Sequence, residues 1–381
     1  MPKKINIGFL SSQPPTNKKV WSGSIFRIYE SLLREDFKVT WIPIHYTPAQ
    51  EIFFDKIAKA YYRIFNRGFN KNQFIIKSLA ASRNLDNELR DKDIDVIFAP
   101  TTATEIAFLK TGLPIVYFND ATFHQLLNYY GGMSGFGFLS KKITEYIEKK
   151  ALRKSSALVF SSEWAANHAR DYYQISGEKI HVVKFGSNAE VPAEINVSKD
   201  YTGAITFLFL AVDWQRKGGH IALKAIEILK NRGYNVKLQV VGCTPPTTSS
   251  AMEIIPFLDK NNPDEAQKVK DFLNNAHFMF IPTRADCTPI SFCEAAGYGL
   301  PVISTDTGGV SAHVEHGITG LLYPHNADPE VYADGIEQLL KEPSCIAQMS
   351  RESHRKYNTE LNWEIWGKET KKIIYKVANT K

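Results

Sequence analysis

Two carboxylates eight positions apart, Asp286 and Glu294, flank the start of an expected helix in the 381-residue chain. A buried strand over His277–Ile281 stops at Pro282, a polar loop follows, and the helix opens after it. Thr288 suits the N-cap, and Pro289 suits the first helical position, where its missing N–H costs nothing. The amides of Ile290 and Ser291 then face outward at the positive end of the helix. That arrangement suits a diphosphate at the C-terminal edge of a parallel sheet. Glu294, one turn in, reaches a ribose diol bound beside those phosphates, and Asp286 meets the other end of the same ligand. Taken alone, these residues imply an anionic, hydroxyl-rich ligand, or else a capped helix with an incidental Glu.

The elements that position them repeat along the chain. Short β-branched and aromatic runs alternate with amphipathic helix-length segments, the pattern of stacked βαβ units and an α/β class. Strands are expected at Ile5–Leu10, Lys38–Ile44, Val96–Ala99, Ile115–Phe118, Ala157–Phe160 and His181–Lys184. A stretch without periodicity, Ala189 to Gly203, reads as a linker. The pattern restarts at Ile205–Val212, an apolar run suited to a buried central strand. A helix over 219–231 follows, then strands at Lys237–Val241, His277–Ile281, Pro301–Ser304 and Leu321–Leu322. The last segment, Tyr357 to Lys381, is helical in pattern. The expected organisation is therefore two Rossmann-like domains, 1–190 and 191–356, with 357–381 packing back towards the first.

Composition fits this reading: 44% hydrophobic, 23% charged, mean hydropathy −0.25. No apolar run reaches the roughly 18–20 residues that span a bilayer, and the start lacks a signal-peptide pattern. The four cysteines form no CxxC pair and no zinc spacing, so reduced thiols in a cytoplasmic protein are expected. Residues 1–190 carry 26 Lys and Arg against 18 Asp and Glu, whereas 191–381 carry 20 against 22. A basic first half suits anionic headgroups, a phosphorylated acceptor, or solubility alone. Nucleic acid is not an expected partner, since no basic helix, zinc finger or RNP-like signature is present.

The stretch from Asp286 through Glu294-Ala295-Ala296-Gly297-Tyr298-Gly299-Leu300-Pro301-Val302-Ile303 resembles the donor site of family 4 retaining glycosyltransferases of the GT-B fold. Thr305-Asp306-Thr307-Gly308-Gly309-Val310, Gly317-Ile318-Thr319-Gly320 and the upstream Lys217-Gly218-Gly219 resemble further signatures of that family, in its order. The resemblance implies two domains facing across a cleft and transfer of a sugar from a nucleoside diphosphate sugar to an acceptor hydroxyl in glycoconjugate biosynthesis. It implies Glu294 on the ribose, Asp286 on the donor sugar and Lys217 on the diphosphate, with no metal or other cofactor. Three positions depart from the family pattern: Asp286 stands where Glu is usual, Val212 where Arg is usual, and Ala312 where Glu is common. Arg216 is then the candidate for the second positive charge, or a solvated Arg.

In the first half, Gly23 and Ser24 open a helix after a small-residue turn, and the family's corresponding loop lies beside the diphosphate. Asn119 occupies the place where the family often has His. Asp120 is the candidate catalytic carboxylate, and Asn119 and His124 are candidates for the acceptor side. Asp91-Lys92-Asp93-Ile94-Asp95 has the Asp-x-Asp spacing of metal-dependent enzymes but sits before a strand, on the wrong edge for a ligand, and reads as a polar turn. Gly131–Gly137 reads as an acceptor-side loop. The segment Glu51 to Phe74 mixes aromatic and basic residues. It fits a helix on a membrane surface beside a lipid-linked acceptor, at the inner membrane face, or a packed helix with a wet basic face. Competing readings are a nucleotide-sugar epimerase, a phosphorylase, and a donor-binding partner without activity.

Overall fold

The computed structural model describes residues 4–196 and 199–379. The undescribed positions take in the first three residues, two within the expected linker, and the last two of the expected C-terminal helix. The chain divides into two compact units, Met1–Val183 with Gly367–Lys381, and Lys184–Trp366. The sequence reading places the corresponding boundaries at 190/191 and 356/357.

The first unit runs β1 (Asn6–Ser11), α1 (Ser24–Arg34), β2 (Lys38–Pro43), α2 (Pro48–Phe65), α3 (Ile75–Leu89), β3 (Val96–Pro100), α4 (Ala103–Ile106), β4 (Ile115–Asn119), α5 (Phe123–Leu126), α6 (Phe138–Lys154), β5 (Ala157–Phe160), α7 (Glu163–Asp171) and β6 (Ile180–Val182). Its six strands are parallel, in the order β2-β1-β3-β4-β5-β6. Apolar strands such as Val96–Pro100 and Ala157–Phe160 are buried along their whole length, as a sheet covered on both faces requires. The Asp-x-Asp stretch is structural. Asp93 accepts from the Asn6 side chain (2.7 Å) and Asp95 from the Asn6 N–H (2.9 Å), fastening β1 beside β3.

The second unit runs β7 (Ile205–Leu210), α8 (Gly219–Asn231), β8 (Val236–Val241), β9 (Met252–Ile255), α9 (Pro263–Asn275), β10 (Phe278–Ile281), α10 (Ile290–Gly297), β11 (Val302–Thr305), α11 (Val310–His313), β12 (Gly320–Tyr323), α12 (Pro329–Lys341), α13 (Pro343–Thr359) and the start of α14 (Trp363–Ala378). Its parallel strands are ordered β12-β11-β10-β7-β8-β9. The order reverses between β7 and β10, and in such sheets ligands bind outside the strand ends at that reversal. Phe207 of β7 stacks on Phe278 of β10 at 5.1 Å, so the two strands that feed the reversal are locked by their own side chains.

Two expectations about helices need correction. The C-terminal segment is broken at 360–362, because Asn362 turns the chain: its side chain donates to the Tyr357 carbonyl (2.8 Å) and accepts from the Ile365 N–H (2.9 Å). Pro289, not Thr288, is the N-cap of α10, and the helix begins at Ile290. Pro289 has ψ 93, outside the helical region, so it closes the preceding loop rather than opening the helix.

Glu148 on α6 is fully buried, and both its oxygens accept from the Phe123 N–H (2.8 and 2.9 Å), tying α6 to α5. Burial pushes its carboxyl from 4.5 up to about 7, with Glu145 adding to the shift. An acid with a raised folded-state pKa stabilises the fold only while protonated, so the contribution is lost as pH rises from about 4.5 through about 7. Over that window the wild-type melting temperature is expected to fall relative to Glu148→Gln, as measured by calorimetry. Parallel curves for the two proteins would show that Glu148 titrates normally.

Candidate functional site

Three loops meet where the second sheet reverses. The turn after β7 carries Trp214, Arg216 and Lys217; the loop after β10 carries Arg284 to Pro289; the turn after β11 carries Gly308 and Gly309. The Arg284 N–H donates to the Arg216 carbonyl (2.7 Å), and the Arg216 guanidinium donates to the Ala285 carbonyl (3.0 Å). The Gly309 N–H donates to the Asp286 carbonyl (3.0 Å). Gly218 has φ +73, and a Cβ there would collide with the Pro282 carbonyl oxygen; a Cβ at Gly219 would enter the Trp214 ring. The two glycines are thus steric requirements, Gly218 of packing this turn on the end of β10 and Gly219 of packing against Trp214.

At the centre, Lys217 Nζ donates to Asp286 Oδ2, and both side chains are largely buried, at 12% and 7% exposure. The structure therefore brings together two of the residues singled out from the sequence. Arg216, the third, is half-buried, with its guanidinium on Ala285 and 3.4 Å from Asp213 Oδ2, where it braces the loop. Val212 is exposed. Phe292 N–H bonds back to the Pro289 carbonyl (2.9 Å), while Ile290 and Ser291 head the helix in half-buried positions with no intrahelical acceptor.

Glu294 lies one turn further on, at 1% exposure, and Lys260 Nζ donates to both its oxygens (2.7 and 2.8 Å). Lys260 was not singled out from the sequence. It sits in the loop between β9 and α9, and β9 is a short, half-exposed edge strand with little sequence signal. His313 also escaped notice. Its Nδ1–H donates to the Gly309 carbonyl (2.9 Å), and its buried Nε2 meets no hydrogen-bond partner among the described residues. Burial pushes this imidazole down to about 4; Gly309 and Asp286 oppose the shift, while Lys184 and Lys356 add to it.

The first-unit candidates occupy the C-terminal ends of β1 and β4. Trp21, Ser22 and Gly23 all have positive φ (49, 54 and 88), a strained run before α1. Trp21 packs edge-on against Phe118 of β4 at 6.1 Å, which places this turn beside the strand bearing Asn119. Ser24 is buried and its N–H donates to the Trp21 carbonyl, so that amide is not open in this state. Asn119 donates to the Tyr117 hydroxyl (2.9 Å) and accepts from the Asp120 N–H (3.0 Å). His124 is instead drawn into a ring stack, 3.9 Å from Tyr172 and 3.2 Å (Nδ1 to Nε2) from His168. Among the described residues, no three His, Cys, Asp or Glu side chains gather as a metal-binding group.

Residues 24–190 match the family described as Glycosyltransferase Family 4, and residues 204–342 match Glycosyl transferases group 1. The chain belongs to the family 4 glycosyltransferases. Its fold is the GT-B fold: sucrose-phosphate synthase from Thermosynechococcus elongatus is similar with a TM-score of 0.68 at 13% identity, over 99% of this chain and 100% of that one. The lipopolysaccharide outer core galactosyltransferase WaaB in its apo form has a TM-score of 0.69 at 11% identity, over 98% and 99%. Anabaena HepE in complex with UDP and glucose has a TM-score of 0.61 at 14% identity, over 98% and 100%. Among curated proteins, the capsular polysaccharide biosynthesis glycosyltransferase CapM of Staphylococcus aureus is 28% identical over 39% of this chain and 41% of its own length. The amylovoran biosynthesis glycosyltransferase AmsK of Erwinia amylovora is 24% identical over 53% and 52%. The chain thus spans about half the length of the curated relatives it matches.

Removing one partner of a buried ion pair costs about 3–5 kcal/mol, because the other charge stays behind in a poor solvent. Lys217→Met is therefore expected to lower unfolding stability by about 3 kcal/mol or more in urea. Lys217→Met/Asp286→Leu is expected to recover most of that loss. A double variant as unstable as the single would show that the pair is not the source of the cost.

Proposed function

We propose that the protein is a retaining, metal-independent glycosyltransferase that moves a sugar from a nucleoside diphosphate sugar to an acceptor hydroxyl. The observation that carries this reading is the buried Lys217–Asp286 pair beside the α10 N-terminus, with Glu294 one turn further along the same helix. Lys217 and the Ile290 and Ser291 amides supply positive charge to the departing diphosphate, the kind of preorganised stabilisation that lowers such barriers most. Glu294 accepts from the ribose hydroxyls, and Asp286 contacts the donor sugar. Arg216 and Pro289 shape the wall of the site, and Gly23 and Ser24 are the first unit's candidates for donor contact.

In the proposed reaction the bond from the anomeric carbon to the diphosphate oxygen breaks, and a bond to the acceptor oxygen forms on the same face. The acceptor proton passes to the departing phosphate, so no dedicated side-chain base is needed. Asn119 and Asp120, at the C-terminal end of β4, are the first unit's candidates for contact with the acceptor hydroxyl, while His124 is held in its stack with Tyr172 and His168. Relatives in capsular polysaccharide and amylovoran biosynthesis support a glycoconjugate acceptor, sugar or lipid-linked. The HepE complexes with UDP and glucose and with UDP-glucose support a nucleotide-sugar donor.

A panel of nucleotide sugars, assayed for nucleoside diphosphate release with and without acceptor, tests the reading. Turnover is expected to persist in EDTA, and the product anomer, read by NMR, is expected to match the donor. Glu294→Ala is expected to weaken donor affinity at least tenfold, from lost charge-assisted hydrogen bonds of about 1.5–3 kcal/mol. Unchanged affinity in that variant would remove Glu294 from the site. A wild type that binds a donor yet never turns over would mark an inactive partner instead.

A further inference from the structure

Helix α2 is unusual for its length. It has 18 residues and a full capping box from Thr47 and Gln50, yet Phe54 is its only buried residue. Ile52, Phe53, Tyr62, Ile64 and Phe65 are all exposed, Ile64 at 72%. Neighbouring elements continue this surface. The turn after α2 is bonded to the residues before α6, with Gly68 N–H on the Gly135 carbonyl and Gly137 N–H on the Gly68 carbonyl (both 2.9 Å). Asn70 N–H then reaches Ser140 of α6 (2.8 Å). The first two residues of α6, Phe138 and Leu139, are also exposed, Phe138 at 73%. At the other end of α2, Phe54 packs on Phe74 at 5.3 Å, and Ile76 and Leu79 of α3 are exposed. Scattered apolar side chains are ordinary on a protein surface, but a concentration on adjoining helices marks an interaction face.

The charges on this face choose the partner. Lys56, Lys59, Arg63 and Arg67 are exposed along α2 and its end. The segment's two acids are each held by a lysine: Glu51 by Lys77 (3.5 Å) and Asp55 by Lys71 (2.7 Å). The Lys71 contact, through its hydrogen bond first, holds the Asp55 carboxyl below its usual range. A second copy of the chain would bring four cations against four cations. A bilayer with anionic headgroups accepts the cations and buries the aromatic and aliphatic side chains in its interfacial layer. We infer that α2, with the first turns of α3 and α6, docks the first unit on the surface of an anionic phospholipid bilayer. Among the described residues no helix is long and apolar enough to cross one; the contact proposed is with the bilayer surface. This surface stands independently of the donor-site reading.

The test is sedimentation of the full chain with phosphatidylcholine vesicles and with vesicles containing phosphatidylglycerol. Wild type is expected to bind only the anionic vesicles and to release at 1 M salt, where the Debye length shrinks to about 3 Å. Each cation near the surface contributes about fivefold in partitioning, so Arg63→Gln/Arg67→Gln is expected to bind about 25-fold more weakly. Phe65→Glu/Phe138→Glu is expected to abolish binding while leaving the melting temperature and nucleoside diphosphate binding unchanged. Equal binding to both vesicle types, or to neither, would overturn the inference. So would a wild-type dimer in sedimentation velocity that Phe65→Glu converts to monomer, since the face would then belong to a second copy.

Discussion

In the second sheet the strand order reverses between β7 and β10, and the loops leaving those two strands share one confined space. One loop brings Lys217 and the other Asp286, and neither charge can sit there alone at such low exposure. Their pairing satisfies both charges and holds the loop after β10 in place, which in turn sets where α10 begins. The start of α10 decides where the Ile290 and Ser291 amides point and where Glu294 lies. The backbone bonds between Arg284 and Arg216, and between Gly309 and Asp286, lock the same arrangement. Gly218 and Gly219 are needed because any side chain at either position would occupy space already filled by Pro282 or Trp214.

Asp286 and Glu294 are thus each matched to a cation within the protein, Asp286 to Lys217 and Glu294 to Lys260. On the proposed reading, these pairings make ligand binding an exchange. In the proposed reaction a diphosphate would compete with Asp286 for Lys217, and ribose hydroxyls would compete with Lys260 for Glu294. Lys260 is the more replaceable of the two cations. At 43% exposure it can retreat to water, whereas Lys217 at 12% has nowhere comparable to go. The difference in burial makes Lys217 the more fixed charge and Lys260 the more yielding one.

Much of this architecture is legible in the sequence because it rests on local signals. Parallel strands buried on both faces read as continuous apolar runs, as in Ile205–Leu210. The glycines of Lys217-Gly218-Gly219 report a close approach that only glycine tolerates. The elements that stayed hidden depend on tertiary context. Strand β9 is an edge strand of four residues with no clear alternation, so its loop and Lys260 were not visible as part of the site. His313 looks unremarkable until the fold buries it beneath the Gly309 turn. The start of α10 was misplaced by one residue, since Pro289 fits either an N-cap or a first helical turn and the loop geometry decides between them. In the first unit, the sequence points to Asn119 and Asp120 through a strand end and the family resemblance, and the structure places them at the end of β4. The stack that captures His124 needs Tyr172 and His168 from an element more than forty residues away.

On the proposed reading, one ligand takes over both cation contacts at the strand-order reversal. A crystal structure of the full chain with a bound nucleoside diphosphate measures this directly. The account predicts a diphosphate against the Ile290 and Ser291 amides and Lys217, ribose hydroxyls on Glu294, and Lys260 displaced from that carboxylate. A nucleotide bound elsewhere, with Lys260 still paired to Glu294, would contradict it.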